Sequence, residues 1–359
     1  MLSGENRILA FDIGATSSKG LLCKISGEDI AVGESDGFNL RTGSRDQLKQ
    51  LVLKVTSQIN KQVGTAISDP FAVVLGIAGG GSKESRQRVA DYVQSKWIRS
   101  RIFIHHDAFI AHYGAFRGGP GVMVTSGTGS IAYGRNSDGT EARGGGWGWM
   151  LGDEGSGWWI GRQAVRSVLS AREGGQETKL TELVKENFEI NEPYELLGIV
   201  YAAKFDRSKI SSLSKQVYEI ALAGDAVAAS ILHNAGKELG LTAIKVAAQL
   251  GILPKDLFVA VMGSVGYGAG DLIRNGVNDI LVTYADLRMK KGTLSPEELE
   301  RHNGQDSLVE LKRLPVPNYP PSDLTIKSAV GPACIEPEMD ALHGAALWAS
   351  DTILKRGFA

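Results

Sequence analysis

Cysteine is nearly absent from this chain, which has two, Cys23 and Cys334, among 359 residues. Both lie far apart among apolar neighbours, so buried thiols are favoured over a disulfide. The absence of clustered cysteine and histidine spacing argues against a zinc site or an iron–sulfur cluster. The chain also lacks an apolar run of about 18 residues and a basic-then-apolar N-terminus, so neither a membrane span nor a leader is predicted. A cytoplasmic location is expected.

Neither positive nor negative charge is in excess. The net charge is -1 and the isoelectric point is near 6.6, so no global field would attract nucleic acid or an anionic membrane. Hydrophobic residues make up 43% and charged residues 22%, as in ordinary globular proteins. The length favours about two domains. These numbers leave a small molecule as the expected partner.

Glycine, in contrast, is abundant, with 45 residues. The glycines concentrate at 76–81, 118–129, 144–161 and 263–270. Because glycine lets the backbone approach a ligand closely, these segments are candidate binding loops.

The hydrophobic pattern predicts a mixed α/β protein. In the first part it predicts strands at 7–13, 18–25, 28–38, 71–78 and 101–108, with helices at 44–65, 82–97 and 108–116. The glycine-rich segment at 118–121 is the predicted boundary between a domain of residues 1–117, completed by a C-terminal helix at about 337–359, and a larger domain of residues 118–336.

The larger domain is predicted to open with a hairpin and a glycine–tryptophan loop. Helices are then expected at 157–172, 177–189, 192–204, 208–223, 225–250 and near 268–276, with strands at 257–263 and 326–330 and an exposed excursion at 285–323. No sequence repeat is evident, yet both halves open with a strand, a turn of small residues and a second strand.

The first of these turns lies in AFDIGATSSKG, residues 10–20. Its backbone N–H groups, starting at Gly14, are placed to bind phosphate oxygens, and Thr16 adds a hydroxyl donor. Asp12 would be tolerated beside phosphate only with a cation between them, so it implies Mg²⁺. A plain hairpin with a polar turn is the alternative.

The second turn lies in VMVTSGTGSIAYG, residues 122–134. Gly127 and Gly129 remove side-chain obstruction, while Thr128 and Ser130 present hydroxyl groups. Glycine and serine are also ordinary turn residues. Two such turns, each after an apolar strand, favour a shared polyphosphate ligand between two facing hairpins.

Asp107 ends the strand segment IFIHHDA. A carboxylate leaving a buried strand at a domain boundary suits a general base that takes a proton from an attacking hydroxyl. Asp107 is also a candidate N-cap for the helix at 108–116, and both roles are compatible. The adjacent His105 and His106 point to opposite faces of a strand, so a metal site is not expected there.

The segment RGGGWGWMLGDEGSGWWIG, residues 143–161, contains eight glycines and four tryptophans. It is predicted to be irregular, because no regular helix or strand suits this composition throughout. Tryptophan suits the apolar face of a sugar ring, and Asp153 is placed to accept hydrogen bonds from sugar hydroxyls. Trp147 and Asp153 are therefore candidate site residues, whereas Trp158 and Trp159 begin a helix and are expected to fill the core.

The segment AVMGSVGYGAGD, residues 260–271, is predicted to be a strand, a glycine turn and a helix. Such an arrangement accommodates a base and ribose against bare backbone. The pattern is weak alone and gains weight from the other motifs.

Taken in order, these motifs resemble the acetate/sugar-kinase, heat-shock-ATPase and actin superfamily. More closely, DIGATSSKG, HHDA, SGTGS, GGWGWMLGDEGSGWWIG and MGSVG resemble the N-acetylglucosamine kinase family and the wider family that includes the ATPase activators of benzoyl-CoA reductase. The resemblance spans about residues 7–350, and GGWG…GDEGS is its most specific part. It implies an actin-like ATPase fold of two domains, with ATP and sugar in the cleft between them.

The resemblance also implies roles for individual residues. Asp12, Gly14 and Thr16 would form the first phosphate loop, with Asp12 toward the metal, and Asp107 would be the catalytic base that also contacts the sugar. The second phosphate loop would be Gly127, Thr128 and Gly129. The sugar would be contacted by Ser130, Gly146, Trp147, Gly148 and Asp153, and the adenosine by Gly263 and Ser264.

The sequence departs from the family pattern near the sugar. Ile131 replaces an asparagine, Gly144 replaces a cysteine, and Asn39 and Arg41 compete for the position of a sugar-contacting asparagine. These departures leave phosphoryl transfer unaffected and bear on the identity of the sugar.

The leading hypothesis is an ATP- and Mg²⁺-dependent sugar kinase that phosphorylates a hydroxyl, in particular the 6-OH of a hexosamine such as N-acetylglucosamine. Other acceptors are N-acetylmuramate, glucosamine, glucose or a keto-deoxy sugar acid. An ATPase that energises a redox partner would need clustered cysteines, a zinc-containing sugar kinase or repressor would need a Cys-rich site, and an actin-like polymer would assemble with ATP. The family resemblance implies a homodimer.

Overall fold

The computed structural model describes residues 7–202, 204–268, 270–291, 333–335, 337 and 339–355. These residues fall into two compact units, Met1–Pro120 with Glu336–Ala359, and Gly121–Ile335. Across the described residues, no helix is both long enough and apolar enough to cross a membrane.

The first unit contains a five-stranded sheet in the order β3-β2-β1-β4-β5. Its strands are β1 (Arg7–Ile13), β2 (Ser17–Lys24), β3 (Asp29–Asp36), β4 (Ala72–Ile77) and β5 (Arg101–His106), and its helices are α1 (Arg45–Val63), α2 (Lys83–Lys96), α3 (Asp107–Phe116) and, near the C-terminus, α12 (Ala341–Lys355). Strand β1 runs antiparallel to β2 and parallel to β4, and β4 runs parallel to β5.

Local sequence explains where these helices begin and end. Ser44 and Gln47 form a capping box at the start of α1, and Gly64 ends the helix in the left-handed conformation, with φ of 76°. One face of α1 carries the apolar residues Leu48, Leu51, Val52, Val55 and Ile59, which join the buried core formed with β1 and β4. The prediction of this helix is confirmed.

The second unit contains a sheet in the order β10-β9-β6-β7-β8. Its strands are β6 (Gly121–Ser126), β7 (Ser130–Arg135), β8 (Glu141–Gly145), β9 (Phe258–Met262) and β10 (Ala333–Ile335). Its helices are α4 (Gly157–Arg172), α5 (Leu180–Phe188), α6 (Leu196–Val200), α7 (Ser208–Ser211), α8 (Leu213–Leu222), α9 (Ala226–Gln249), α10 (Gly263–Gly268) and α11 (Gly270–Lys291), with 3-10 turns at Pro193–Glu195 and Pro254–Asp256.

The two sheets share one topology. In each, the first strand is central, antiparallel to the second and parallel to the fourth, which in turn is parallel to the fifth. The strand–turn–strand pattern that opens both halves of the sequence therefore reflects a structural duplication. The prediction of an actin-like α/β fold is confirmed.

Several predicted elements differ from the structure. The loop predicted from residue 143 begins as strand β8, because residues 143–145 still pair with β7. The helix predicted at 192–204 is limited to α6 and a preceding 3-10 turn at Pro193. The helix predicted near 268–276 corresponds to α11, which starts at Gly270, while the glycine turn predicted before it is the short helix α10, Gly263–Gly268.

Parts of other predictions lie outside the described residues. Helix α11 extends through Lys291, so the start of the segment predicted as an exposed excursion at 285–323 is helical. The rest of that segment and the strand predicted at 326–330 lie outside the described residues. Cys23 and Cys334 are both buried and form no disulfide, as predicted.

Candidate functional site

The candidate residues fall into two groups, one in each unit. In the first unit, β1 ends in a tight turn before β2. The Gly14 N–H donates to the Ser17 carbonyl at 3.0 Å, and the carbonyls of Gly14 and Thr16 accept from Phe38 and Gly37. Within the described residues, the N–H groups of Ala15 and Thr16 donate no hydrogen bond to the protein, and both residues are exposed. Two bare amides are therefore available to an anion at this turn.

Asp12 lies shortly before those amides in the sequence, near the end of β1. It is paired in register with Lys19 on β2 and Gly76 on β4. The pKa of Asp12 is raised to about 7, mainly by burial and then by the charges of Asp107 and Asp340, while the charge of Lys19 lowers it. Asp107 and Asp340 thus act electrostatically on Asp12.

Asp107 is the first residue of α3, directly after β5. One of its carboxylate oxygens, Oδ1, accepts a hydrogen bond from the Ala108 N–H at 3.0 Å. Burial raises the pKa of Asp107, while that hydrogen bond and the charge of His106 lower it. A partly desolvated carboxylate of this kind is suited to accept a proton.

The expectation that Asp107 itself caps the helix is wrong. The N-cap of α3 is His106, whose Nδ1 accepts from the Phe109 N–H at 3.1 Å. The chain leaves the extended conformation one residue earlier than the sequence preference for aspartate suggests. As a result, the Asp107 side chain is not needed for the cap.

In the second unit, the tip between β6 and β7 consists of Gly127, Thr128 and Gly129. The Gly127 N–H donates to the Gly129 carbonyl at 3.0 Å. Among the described residues, no acceptor in the protein receives the N–H groups of Thr128 and Gly129. This tip therefore also presents two bare amides, as the first turn does.

The tip is bonded to the segment before α4. The Ser126 hydroxyl donates to the Gly155 carbonyl and the Ser130 hydroxyl to the Glu154 carbonyl, both at 2.7 Å. In return, the Gly157 N–H donates to the Gly127 carbonyl at 2.7 Å. Ser126 is fully buried, and this structural role was not recognised from its place in SGTGS. Hydrogen bonds thus connect the predicted phosphate tip directly to the predicted sugar loop.

Asp153 links the hairpin tip to the glycine–tryptophan loop most directly. It is 8% exposed and adopts the left-handed conformation with φ of 61°. Its carboxylate accepts hydrogen bonds from the backbone amides of Ser130 and Gly148, the latter at 3.3 Å. Burial raises the pKa of Asp153, Glu154 raises it further, and those two hydrogen bonds lower it.

The glycines in this region are required by contact and by conformation. A Cβ on Gly129 would lie 2.6 Å from Oδ2 of Asp153. Gly146 and Gly148 have φ of 68° and 86°, values that side chains other than glycine rarely adopt. The backbone path of the loop therefore depends on these residues.

The loop also presents aromatic and apolar surface. Trp147 is 67% exposed, and Met150 and Leu151 beside it are exposed too. Trp158, by contrast, is buried as predicted and makes an edge contact with Trp149 at a centroid distance of 5.0 Å. An exposed tryptophan next to bare backbone is suited to pack on a sugar ring.

Gly263 and Ser264 lie beside the same tip. Gly263 has φ of 90°, and a Cβ there would collide with the Ser126 carbonyl. Gly127 faces the Ser264 side chain, since a Cβ on Gly127 would lie 3.6 Å from Ser264 Oγ. The structure thus links Ser130, Gly148, Asp153, Gly263 and Ser264 to one hairpin tip, and Gly146 and Trp147 belong to the adjoining loop.

Residues 10–279 match the BadF/BadG/BcrA/BcrD ATPase family. The chain belongs to this family. It is 30% identical over 228 residues to the N-acetylmuramic acid/N-acetylglucosamine kinase of Clostridium acetobutylicum, covering 63% of this chain and 74% of that protein. It is 28% identical over 285 residues to the N-acetyl-D-glucosamine kinase of Dictyostelium discoideum, covering 76% of this chain and 88% of that protein.

Among solved structures, a candidate N-acetylglucosamine kinase from Chromobacterium violaceum is similar to this chain. Its TM-score is 0.64 at 22% identity, and the match covers 96% of this chain and 99% of that chain. At this identity the likeness shows a shared fold. It agrees with the duplicated sheets of the two units.

Proposed function

We propose that this protein is an ATP-dependent kinase of amino sugars. The observation that carries the proposal is the pair of bare-amide turns, one ending β1 and one ending β6, together with a partly buried carboxylate, Asp107, directly after β5. Turns of this kind bind phosphate oxygens, and a desolvated carboxylate accepts a proton from an attacking hydroxyl. The kinases of amino sugars among its relatives support the same reaction.

In this proposal, the amides of Ala15 and Thr16 and those of Thr128 and Gly129 hold the phosphates of ATP. Gly263 and Ser264 lie by the adenosine, and Ser130, Gly146, Trp147, Gly148 and Asp153 bind the sugar. Asp107 takes the proton from the acceptor hydroxyl. General-base catalysis of this kind supplies roughly 10² to 10⁴ in rate, and positioning supplies much of the remainder.

Mg²⁺ is proposed as the metal, and Asp12 is proposed as the carboxylate that faces it. The described residues include no group of three histidine, cysteine, aspartate or glutamate side chains arranged to hold a metal ion. Mg²⁺ usually keeps several waters and is held by one or two carboxylates and substrate phosphates, so a lone oxygen donor such as Asp12 fits it. A bound cation would favour the ionised form of Asp12 and so act against the burial that raises its pKa. When bound, Mg²⁺ would neutralise phosphate charge.

The acceptor is proposed to be the 6-OH of N-acetylglucosamine or N-acetylmuramate. Purified protein should be assayed with Mg-ATP and a panel of these two sugars, glucosamine, glucose and a keto-deoxy sugar acid. A cytoplasmic location is proposed from the sequence, and a homodimer is proposed from the family resemblance. Turnover that is the same with and without any sugar would instead favour an ATPase of another kind.

Asp107→Asn tests the assigned base. The substitution keeps the size of the side chain and removes its basicity, so kcat should fall by about 10² to 10⁴ while KM for ATP changes little. Asp46→Asn is a matched control, since Asp46 is an exposed carboxylate in the first turn of α1 of the same unit. Near-wild-type turnover in Asp107→Asn would show that the base is another group.

A further inference from the structure

His106 holds the start of the helix that carries Asp107. Its backbone is extended, with φ of -77° and ψ of 154°, and its Nδ1 lies 3.1 Å from the Phe109 nitrogen as a hydrogen-bond acceptor. A ring nitrogen accepts a hydrogen bond only when it carries no proton. The observed cap therefore requires the neutral imidazole, with its proton on Nε2.

This requirement separates His106 from the usual cap residues. Asparagine, aspartate, serine and threonine are preferred at N-caps, and their oxygen atoms still accept hydrogen bonds near neutral pH. Histidine changes protonation between about pH 5 and 8. When Nδ1 takes a proton, the acceptor for the Phe109 N–H is lost, and the first turn of α3 loses its cap.

Asp107 is the residue most affected by the loss of the cap, because it directly follows the cap residue. Its orientation depends on the first turn of α3, where Oδ1 accepts from the Ala108 N–H. The neighbouring His105 has a different role, since its ring stacks on Phe109 at 4.3 Å and meets Trp348 at 4.2 Å. The two histidines of the HHDA motif are thus not equivalent.

We propose that His106 is a positioning residue for Asp107, and that its cap operates only while the imidazole is neutral, so that the kinase reaction becomes sensitive to acid through the start of α3. The proposal rests on the proposed role of Asp107 as the base. It assigns His106 no contact with substrate.

Charged groups on the surrounding elements act on the same region. His106 acts on Asp107 of α3, and Asp107, Asp340 before α12 and Lys19 on β2 act on Asp12 of β1. Arg86 on α2 donates from its guanidinium to the carbonyls of Gly80 and Gly81. A protonated His106 would favour the ionised form of Asp107, since its charge lowers the pKa of that carboxyl. The charge and the cap therefore act on activity in opposite directions as the pH falls.

His106→Asn and His106→Ala separate these effects. Asn Oδ1 stands as many bonds from Cα as His Nδ1, so His106→Asn keeps an acceptor that does not titrate, whereas His106→Ala removes it. At pH 8, kcat should stay within about threefold of wild type in His106→Asn and fall about tenfold or more in His106→Ala, with little change in KM for ATP.

The pH profile is the decisive readout. Between pH 8 and pH 6, kcat of His106→Asn should fall at least about threefold less than that of wild type, because its cap survives. If the charge of His106 dominates, His106→Asn will instead lose activity at higher pH than wild type, and the proposal is overturned. Superimposable profiles overturn it as well.

Ser82→Ala is the matched control for losing a cap without touching Asp107. Ser82 caps α2 of the same unit, and its Oγ accepts from the Ser85 N–H at 3.1 Å. Ser82→Ala and His106→Ala should lower Tm by a similar few degrees, yet only His106→Ala should lower kcat. Equal kcat in both variants would reduce His106 to an ordinary structural cap.

A measurement on the wild-type protein does not depend on activity. Nitrogen-15 spectra of the imidazole should show Nδ1 without a proton above neutral pH, and hydrogen exchange of the Phe109 amide should speed up as the pH falls and His106 protonates, after correction for intrinsic exchange. A proton on Nδ1 at pH 8 refutes the cap itself. If the cap is present but Asp107→Asn keeps full activity, the assigned base has failed instead, so the two failures are distinguishable.

Discussion

Replacing Asp153 tests whether this residue is a structural link or only a ligand of the sugar. Its carboxylate accepts hydrogen bonds from the backbone amides of Ser130, next to the hairpin tip, and Gly148, in the tryptophan loop. If these contacts hold the tip in place, Asp153→Asn and Asp153→Ala should weaken the binding of ATP as well as that of the sugar. A residue that contacts the sugar alone would affect the sugar only.

The expected loss of stability follows from the two hydrogen bonds. A hydrogen bond to a charged group contributes about 1.5–3 kcal/mol, but burial already disfavours the ionised carboxyl of Asp153 and offsets part of this. Alanine would also be strained at φ of 61°, whereas asparagine tolerates that conformation. We expect the free energy of unfolding to fall by about 2–4 kcal/mol in Asp153→Ala and about 1–2 kcal/mol in Asp153→Asn.

Denaturant unfolding and steady-state kinetics with each substrate varied in turn measure both effects. Glu154→Gln is the matched control, because it removes the same charge at the adjacent, exposed position. It should leave stability and both KM values nearly unchanged. A higher KM for the sugar in Asp153→Asn, with unchanged stability and unchanged KM for ATP, would refute the structural link.

Three further outcomes are expected. The folded protein binds a proton at Asp12 more tightly than the unfolded chain, since its pKa rises from 3.8 to about 7, so the stability of the protein without ligands should fall as the pH rises from 4 to 7. Asp12→Asn should remove this slope in urea unfolding and add about 1–3 kcal/mol at pH 8, while a stability loss at pH 8 would contradict it. Gly263→Ala should lower the unfolding free energy by about 2–3 kcal/mol by forcing Cβ into the Ser126 carbonyl, whereas Gly268→Ala, which meets no neighbour, should be nearly neutral. Trp147→Ala should raise KM for the sugar with less than about 0.5 kcal/mol change in stability, because its side chain is exposed; unchanged KM would exclude it from the sugar site.

Much of the fold could be predicted because strong local signals agree with it. Strand β1 follows from a short, nearly continuous apolar run, and helices α1 and α4 follow from helical hydrophobic patterns that begin at cap residues. The irregular loop around Trp147 follows from its glycine content. In these places, local preference and tertiary structure favour the same conformation.

Other features depended on contacts between distant residues. Gly144 and Gly145 read as loop, yet they pair with β7, because a neighbouring strand supplies partners that propensity does not encode. His106 caps α3 although aspartate follows it, and no sequence rule gives the direction of a ring nitrogen. The role of Ser126 likewise depends on Gly155, 29 residues away.

The duplicated sheet explains why the candidate residues collect where they do. Strands β1, β4 and β5 are parallel, so their carboxyl ends lie at one edge, and that edge carries the first turn and Asp107. Strands β6 and β9 are parallel in the same way, and their carboxyl ends carry the second tip and Gly263.

The two units carry different residues at the carboxyl ends of these strands. In the first unit, the partly buried carboxylate Asp107 follows the fifth strand, β5, whereas in the second unit Gly263, at φ of 90°, follows the fourth strand, β9. In the proposed function, proton transfer belongs to the first unit, whereas both units offer backbone amides to phosphate. On this argument, a carboxylate introduced after β9 at Ser264 would not create a second base, because it would stand beside the bare amides proposed to bind phosphate and would repel it.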